Sequence, residues 1–196
     1  MRVFKGDRTP RLPRINRVDI HQIQVRYVAL EDRLLMQIRT RAGEMFSIWL
    51  TRRMVARLWP PFLEVVATAP LARQAPEATV LPEAREMLSQ AARERPLPQA
   101  DFETPFDRLP QAEPLGPEPL LPSAMNLARA PQGGVVLRMR ETRGRHLDIR
   151  LGDDLATALL RLIEKALGST DWGLSSAADT AATALAEGPP PPRVLN

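Results

Sequence analysis

The sequence predicts an α+β fold: a three-strand antiparallel meander followed by a helix, made twice, pseudo-symmetric, with the helices packed on the sheet. Three observations carry this. Apolar residues alternate at period two in two separate blocks, as half-buried strands require. Each block switches to helical spacing directly after a polar cap. The blocks also fall in phase when the chain is slid against itself by 101 positions. Gly43 then meets Gly144, Arg39 meets Arg140, Ile48 meets Ile149, Leu50 meets Leu151 and Leu58 meets Leu159. Random matching over such a window gives roughly two identities. Chance likeness of two ββα pieces is the alternative to duplication. A single meander with one helix cannot bury both strand faces. Two units could pair as one continuous sheet or pack face to face, and the sequence leaves both open.

Residues 1–17 form a basic arm with Arg2, Lys5, Arg8, Arg11, Arg14 and Arg17 and few apolar positions, a composition with little intrinsic order. The first meander-helix unit spans 18–69. Ile23, Val25 and Tyr27 share one face of its first strand. Glu31 and Asp32 make a polar turn. Leu34, Met36 and Ile38 alternate in the second strand, and Gly43 provides the next turn. Phe46, Ile48 and Leu50 face inward on the third strand, with Met45, Ser47 and Trp49 opposite. Thr51 is a helix N-cap, and Met54, Val55 and Leu58 lie along one side of the helix it starts. Pro60 and Pro61 remove donors and crowd the preceding turn, so a kink or restart is expected there.

A helix and a proline-rich connector fill 70–123. The helix is read in "LPEAREMLSQAARER". The connector "PLPQADFETPFDRLPQAEPLGPEPLLP" should be extended and partly packed, pinned by Phe102, Phe106, Leu109, Leu115 and Leu120. The second unit spans 124–174. "AMNLARA" is its first strand, Val135, Leu137 and Met139 face inward on the next, Gly144 turns the chain, and Leu147, Ile149 and Leu151 alternate after it. "GDD" starts a helix with apolar face Leu155, Leu159, Leu162 and Ile163, ended by Gly168, with Asp153 and Asp154 suiting its positive end. Trp172 and Leu174 should fold back onto the core. A flexible proline-rich tail, 175–196, closes the sequence, with a helix expected around 176–186.

Composition bounds function. The 196 residues contain 20 prolines and no cysteine, so disulfides, thiolate metal sites and cysteine nucleophiles are excluded. No apolar run approaches a membrane span, and the N-terminal residues have no apolar stretch of a secretory signal. A cytoplasmic protein is expected. Only Lys5 and Lys165 are lysines among 27 basic residues. Residues 1–53 carry 12 basic against 5 acidic side chains, and 54–130 carry 7 against 10, so positive charge gathers on the β-rich parts.

The segments "EDRLL", "RTRAG" and "WLTRR", with "ADFETPF" and "PLGPEPLL" in the connector, resemble a family of uncharacterised bacterial cytoplasmic proteins. The resemblance runs from about residue 18 to 174 and implies no activity. The repeated sheet-and-helix order also resembles, in architecture alone, the duplicated units of Whirly-type single-strand nucleic-acid binders, which use four strands where three are counted here.

Enzyme chemistry finds little footing. His21 and His146 lie in different halves, neither with a ligand partner at helical spacing, so no metal motif exists. No phosphate loop, dinucleotide fingerprint or nucleophile elbow is present. No cofactor is expected. The remaining candidates are arginines and one aromatic. Arg39 and Arg41 flank the first hairpin tip, and Arg140, Arg143 and Arg145 surround the second. If the repeat holds, the two tips are symmetry-related and could form a bipartite surface for phosphate groups. Trp49 sits on the face away from the core and needs cover. Arg52 and Arg53 stand in the first helical turn, where basic residues oppose the dipole. They answer either to Glu31 and Asp32 as internal ion pairs or to an acidic partner, or to neither. The expected function is a non-enzymatic interaction or adaptor protein. The alternative is single-stranded nucleic-acid binding through the tip arginines and Trp49. An open sheet edge would also permit a homodimer.

Overall fold

In the computed structural model the described residues are 14–15, 19–74, 84, 87–88, 90–91, 94–97 and 104–174. Two separate sheets form, which settles the choice against one continuous sheet. The first is an antiparallel meander of β2 (Ile20–Val28), β3 (Arg33–Thr40) and β4 (Met45–Thr51). The second is a meander of β5 (Ala124–Arg129), β6 (Val135–Arg140) and β7 (His146–Leu151), joined on the β7 side by a short parallel β1 (Arg14–Ile15). Helix α1 (Arg52–Gln74) follows β4 and α2 (Asp153–Leu167) follows β7. Among the described residues no helix is long and apolar enough to cross a membrane.

The duplication is visible in the hydrogen-bond register. Ile38 faces Phe46, Met36 faces Ile48 and Leu34 faces Leu50; 101 residues later Met139 faces Leu147, Leu137 faces Ile149 and Val135 faces Leu151. The turn repeats as well. Thr40 N–H donates to Glu44 O (2.9 Å) and Gly43 N–H to Thr40 O (3.0 Å), while Glu141 N–H donates to Arg145 O (2.8 Å) and Gly144 N–H to Glu141 O (3.0 Å). Both glycines have positive φ, +78° and +89°. The first strands keep the pattern with the offset raised by one. Val25 pairs with Met36 and Leu127 with Leu137, because the second unit has one residue fewer between the paired positions of its first two strands.

Strand alternation explains the inner faces. Leu34, Met36, Ile38, Ile48, Leu50, Met139, Leu147, Ile149 and Leu151 are at most 1% exposed and belong to one core with both helices. The helices exchange partners: α1 lies beside β5 of the second sheet, and α2 lies beside β2 of the first. Arg129 fastens the first of these crossings by donating from Nη2 to Thr68 Oγ1 (2.8 Å) and Val65 O (3.4 Å) on α1. An apolar cavity of about 10 Å³ remains in the core. It is bounded by the repeat-related pairs Met36 and Leu137, Leu58 and Leu159, and Phe62 and Ile163, so it lies where the pseudo-symmetry axis passes.

The helix starts also coincide, at Arg52 and Asp153. Thr51 caps α1 by accepting Met54 N–H on Oγ1 (3.3 Å). Asp153 does something else: its Oδ1 accepts Gly134 N–H (2.9 Å), tying the β5–β6 turn to the helix start. Pro60 and Pro61 do not interrupt α1, which is continuous from 52 to 74. Their tertiary setting outweighs the local cost, with Val55, Leu58, Trp59, Phe62, Leu63, Val66 and Ala67 all buried along one side. Gly168 follows α2 with φ −60°, so the helix ends there without a left-handed residue. The described positions 84, 87, 88, 90, 91 and 94 of the expected intervening helix are helical. Phe102 and the expected helix around 176–186 lie outside the described residues, as does all of the N-terminal arm except Arg14 and Ile15.

Candidate functional site

The connector is not a loose tether. Residues 104–121 cross the outer face of the first sheet and then run along its β4 edge. Gln22 on β2 donates from Nε2 to Pro105 O (3.2 Å) and accepts Asp107 N–H on Oε1 (3.1 Å). Arg39 on β3 donates from Nη1 to Leu109 O (2.7 Å) and Asp107 O (3.3 Å), and its Nη2 lies 3.0 Å from the Asp107 carboxylate. On the β4 edge, Gln111 N–H donates to Gly43 O (2.9 Å), Met45 N–H to Ala112 O (2.8 Å), Leu120 N–H to Ser47 O (2.8 Å) and Trp49 N–H to Leu120 O (2.8 Å). Leu120 is 0% exposed and enters the core. Gly43 suits the turn beneath this path because its φ is +78°; a Cβ there would meet only the movable Gln111 side chain, at 2.7 Å.

Arg145 holds the segment in between. Its Nη1 donates to Leu115 O (3.0 Å) and Glu118 O (2.9 Å), while Nε and Nη2 take both carboxylate oxygens of Glu141 (2.7 and 2.9 Å). These bonds hold the Glu141 carboxyl below the usual range, with the Arg145 hydrogen bonds as the largest cause, and raise the Arg145 guanidinium above its ordinary value. The chemistry follows from composition. Prolines 105, 110, 114, 117 and 119 leave the connector with more carbonyl acceptors than N–H donors. A guanidinium offers five donors and no acceptor, so it matches that surplus.

Two of the tip candidates are thereby corrected: Arg39, only 9% exposed, and Arg145 are committed to the chain's own connector rather than presented outward. Arg143 is exposed and lies 4.0 Å from Glu118. Arg41 is exposed at the first tip, with its N–H donated to Asp19 O (2.7 Å). Arg140 is exposed on the outer face of β6. The two tips therefore do not make one matched cationic pair.

The other end of the first sheet gathers the remaining candidates. Trp49 is half-buried, with the Arg33 guanidinium carbon 5.9 Å from its ring centroid, so one ring face is already used by a cation. Arg52 and Arg53 are exposed. The expected ion pairs to Glu31 and Asp32 are not what these carboxylates make. Glu31 lies 3.5 Å from Arg33. Asp32, in the left-handed region at φ +47°, accepts on Oδ1 from Trp172 Nε1 (2.7 Å) and Tyr27 Oη (2.9 Å). Those two bonds, the indole's first, hold the Asp32 carboxyl below its ordinary value, with Arg52 a weaker contributor through space. The Tyr27 and Trp172 rings meet edge to face at 5.9 Å. The network locks the β2–β3 turn, and at its tip Leu30 is fully exposed. Sequence reading overlooked Leu30; a large apolar residue next to Glu31 and Asp32 in the turn was the available sign.

Among the described residues no group of histidines and carboxylates could hold a metal ion. Compared with protein-family models, with curated proteins and with solved structures, the chain gives no match.

Proposed function

We propose that the chain is a non-enzymatic interaction protein whose protein-contacting surface is the Leu30 end of the first sheet. One observation carries the reading: a fully exposed leucine stands on a turn fixed by Tyr27, Asp32 and Trp172, beside Trp49, Arg52 and Arg53. A rigid apolar tip loses little freedom on docking, and tryptophan and arginine are the residues that most often dominate interfaces. Arg52 and Arg53 at the positive end of α1 favour an anionic neighbour. The partner surface is therefore an apolar pocket bordered by carboxylates. The connector is bonded to its own sheet, so the adaptor role does not rest on it as a spanning tether.

Photo-crosslinking in producing cells tests this. A photoreactive residue in place of Leu30 should give a discrete protein adduct that is lost when Arg52 and Arg53 are changed to Glu. The same probe in place of Leu109, which is 80% exposed on the connector, should not give that adduct. Adducts of equal yield at both positions, or none at Leu30, would remove the reading.

A further inference from the structure

The two outer faces are unequal. On the first sheet, Gln24, Gln37 and Ser47 form a hydrogen-bonded row (2.9 and 3.2 Å) and the connector crosses beside it. The repeat-related positions on the second sheet replace Gln37 with Arg138 and Trp49 with Arg150, and keep Arg39 as Arg140. All three arginines are exposed, and no described segment binds across them. We propose that this outer face of β5, β6 and β7 binds the phosphodiester backbone of single-stranded nucleic acid, with Arg138, Arg140 and Arg150 as its contacts. The proposal is independent of the Leu30 surface, which lies on the other sheet.

Spacing and charge argue for it. Arg138 and Arg140 are two positions apart on β6, about 6.8 Å along the strand, and Arg150 sits on the adjacent strand opposite Val136, one further step along the same line. Successive phosphates of an extended strand can meet such a grid, each by paired N–H donors. The opposing charge on this face is Asp148, whose Oδ2 is 3.7 Å from Arg138 Nε. That distance is too long for a hydrogen bond and leaves the guanidinium fork available. Beside the arginines on β5 lie Ala124, Asn126 and Ala128, and Val136 faces Arg150, small or slender side chains that let a backbone approach. The three arginines occupy two neighbouring strands about 5 Å apart, a footprint suited to one strand rather than a duplex. The face carries no Phe, Tyr or Trp, and its one aromatic ring is the His146 imidazole opposite Arg140, so the recognition is chiefly of phosphate.

The test uses the full chain and a fluorescently labelled oligothymidine. Binding by polarisation at low salt is expected, with a log–log salt slope near about −2 for three phosphate contacts. Arg138→Ala, Arg140→Ala and Arg150→Ala should each reduce the slope by about 0.7, and the triple variant should lose binding. Arg52→Ala with Arg53→Ala should leave it unchanged. Thermal melting of each variant should match the parent; where it does not, the Arg→Gln change at that position is used instead. The proposal is overturned if the probe stays free at about 10 µM protein and low salt, or if the triple variant binds as the parent does. It is equally overturned if a duplex of the same sequence or polyglutamate competes as strongly as unlabelled oligothymidine.

Discussion

Arg39 Nη1 donates to the carbonyl oxygen of Leu109 at 2.7 Å, across 70 residues of sequence. This contact joins the middle strand of the first sheet to the proline-rich connector, and Arg145 does the same from the second sheet at Leu115 and Glu118. The two guanidiniums between them take four of the connector's carbonyls.

Removing such a donor takes away the connector's tether to the middle strand. Arg39→Ala is expected to destabilise the fold by about 2 kcal/mol, measured by urea denaturation. Arg39→Lys should recover only part of this, because an ammonium cannot reproduce the fork. Limited proteolysis should cut near residues 104–110 faster in both variants. Unchanged cleavage would show that the strand-edge bonds alone secure the segment.

Leu120 anchors the same segment from its apolar side. It is 0% exposed between Ser47 and Trp49 backbone groups. Leu120→Ala should cost about 3 kcal/mol. Leu121→Ala, one residue on and 37% exposed, should cost well under about 1 kcal/mol. Equal losses in denaturation midpoints would contradict the core assignment of Leu120.

Gly134 and Gly144 separate two reasons for glycine. Both have positive φ, +79° and +89°. A Cβ on Gly134 would stand 2.1 Å from Leu151 O, whereas nothing lies within 4 Å of one on Gly144. Gly144→Ala should cost about 1 kcal/mol from backbone strain alone, and Gly134→Ala distinctly more, because the β5–β6 turn must move off β7. Similar melting temperatures for the two variants would argue against that close approach.

Asp32 makes stability depend on pH. Its carboxyl is held low first by the Trp172 indole and then by Tyr27. A depressed folded-state value contributes stability that is complete above the unfolded pKa of about 3.9. That stability is lost as pH falls through the folded value. Between about pH 5 and pH 2 the parent's melting temperature should therefore fall more steeply than that of Asp32→Asn. Asparagine tolerates the left-handed backbone at this turn, so the substitution isolates the charge. Glu141 is low in both proteins and cancels in the comparison. Parallel curves would show that the Asp32 carboxylate is not the group held by the indole.

Much of the fold was legible because strand and helix periods differ and because the pattern occurs twice. Leu34, Met36 and Ile38, and again Val135, Leu137 and Met139, declare an inner face by alternation alone. The helix starts at Arg52 and Asp153 followed from the change of period. The sites were less legible. Arg39 and Arg140 align in the repeat, yet one is buried under the connector and one is open, because the connector exists once and must choose a side. Nothing local to "RTRAG" or "RMRETRG" encodes that choice. The role of Asp32 depends on Trp172, 140 residues away. Arg138 and Arg150 looked like ordinary outward strand residues until the covering of the other sheet made their exposure informative.

The trading of helices between the sheets has a consequence for how the molecule can be divided. A polypeptide ending after Gln74 would keep a meander missing the helix that packs on β2, and a helix missing the β5 strand and the second helix it packs against. A nick between residues 75 and 103, by contrast, leaves every pairing among the described strands and helices α1 and α2 intact, so the two pieces should elute together as one particle on gel filtration. The halves are thus mutual chaperones in a single chain, and neither can drift in shape without its sibling following.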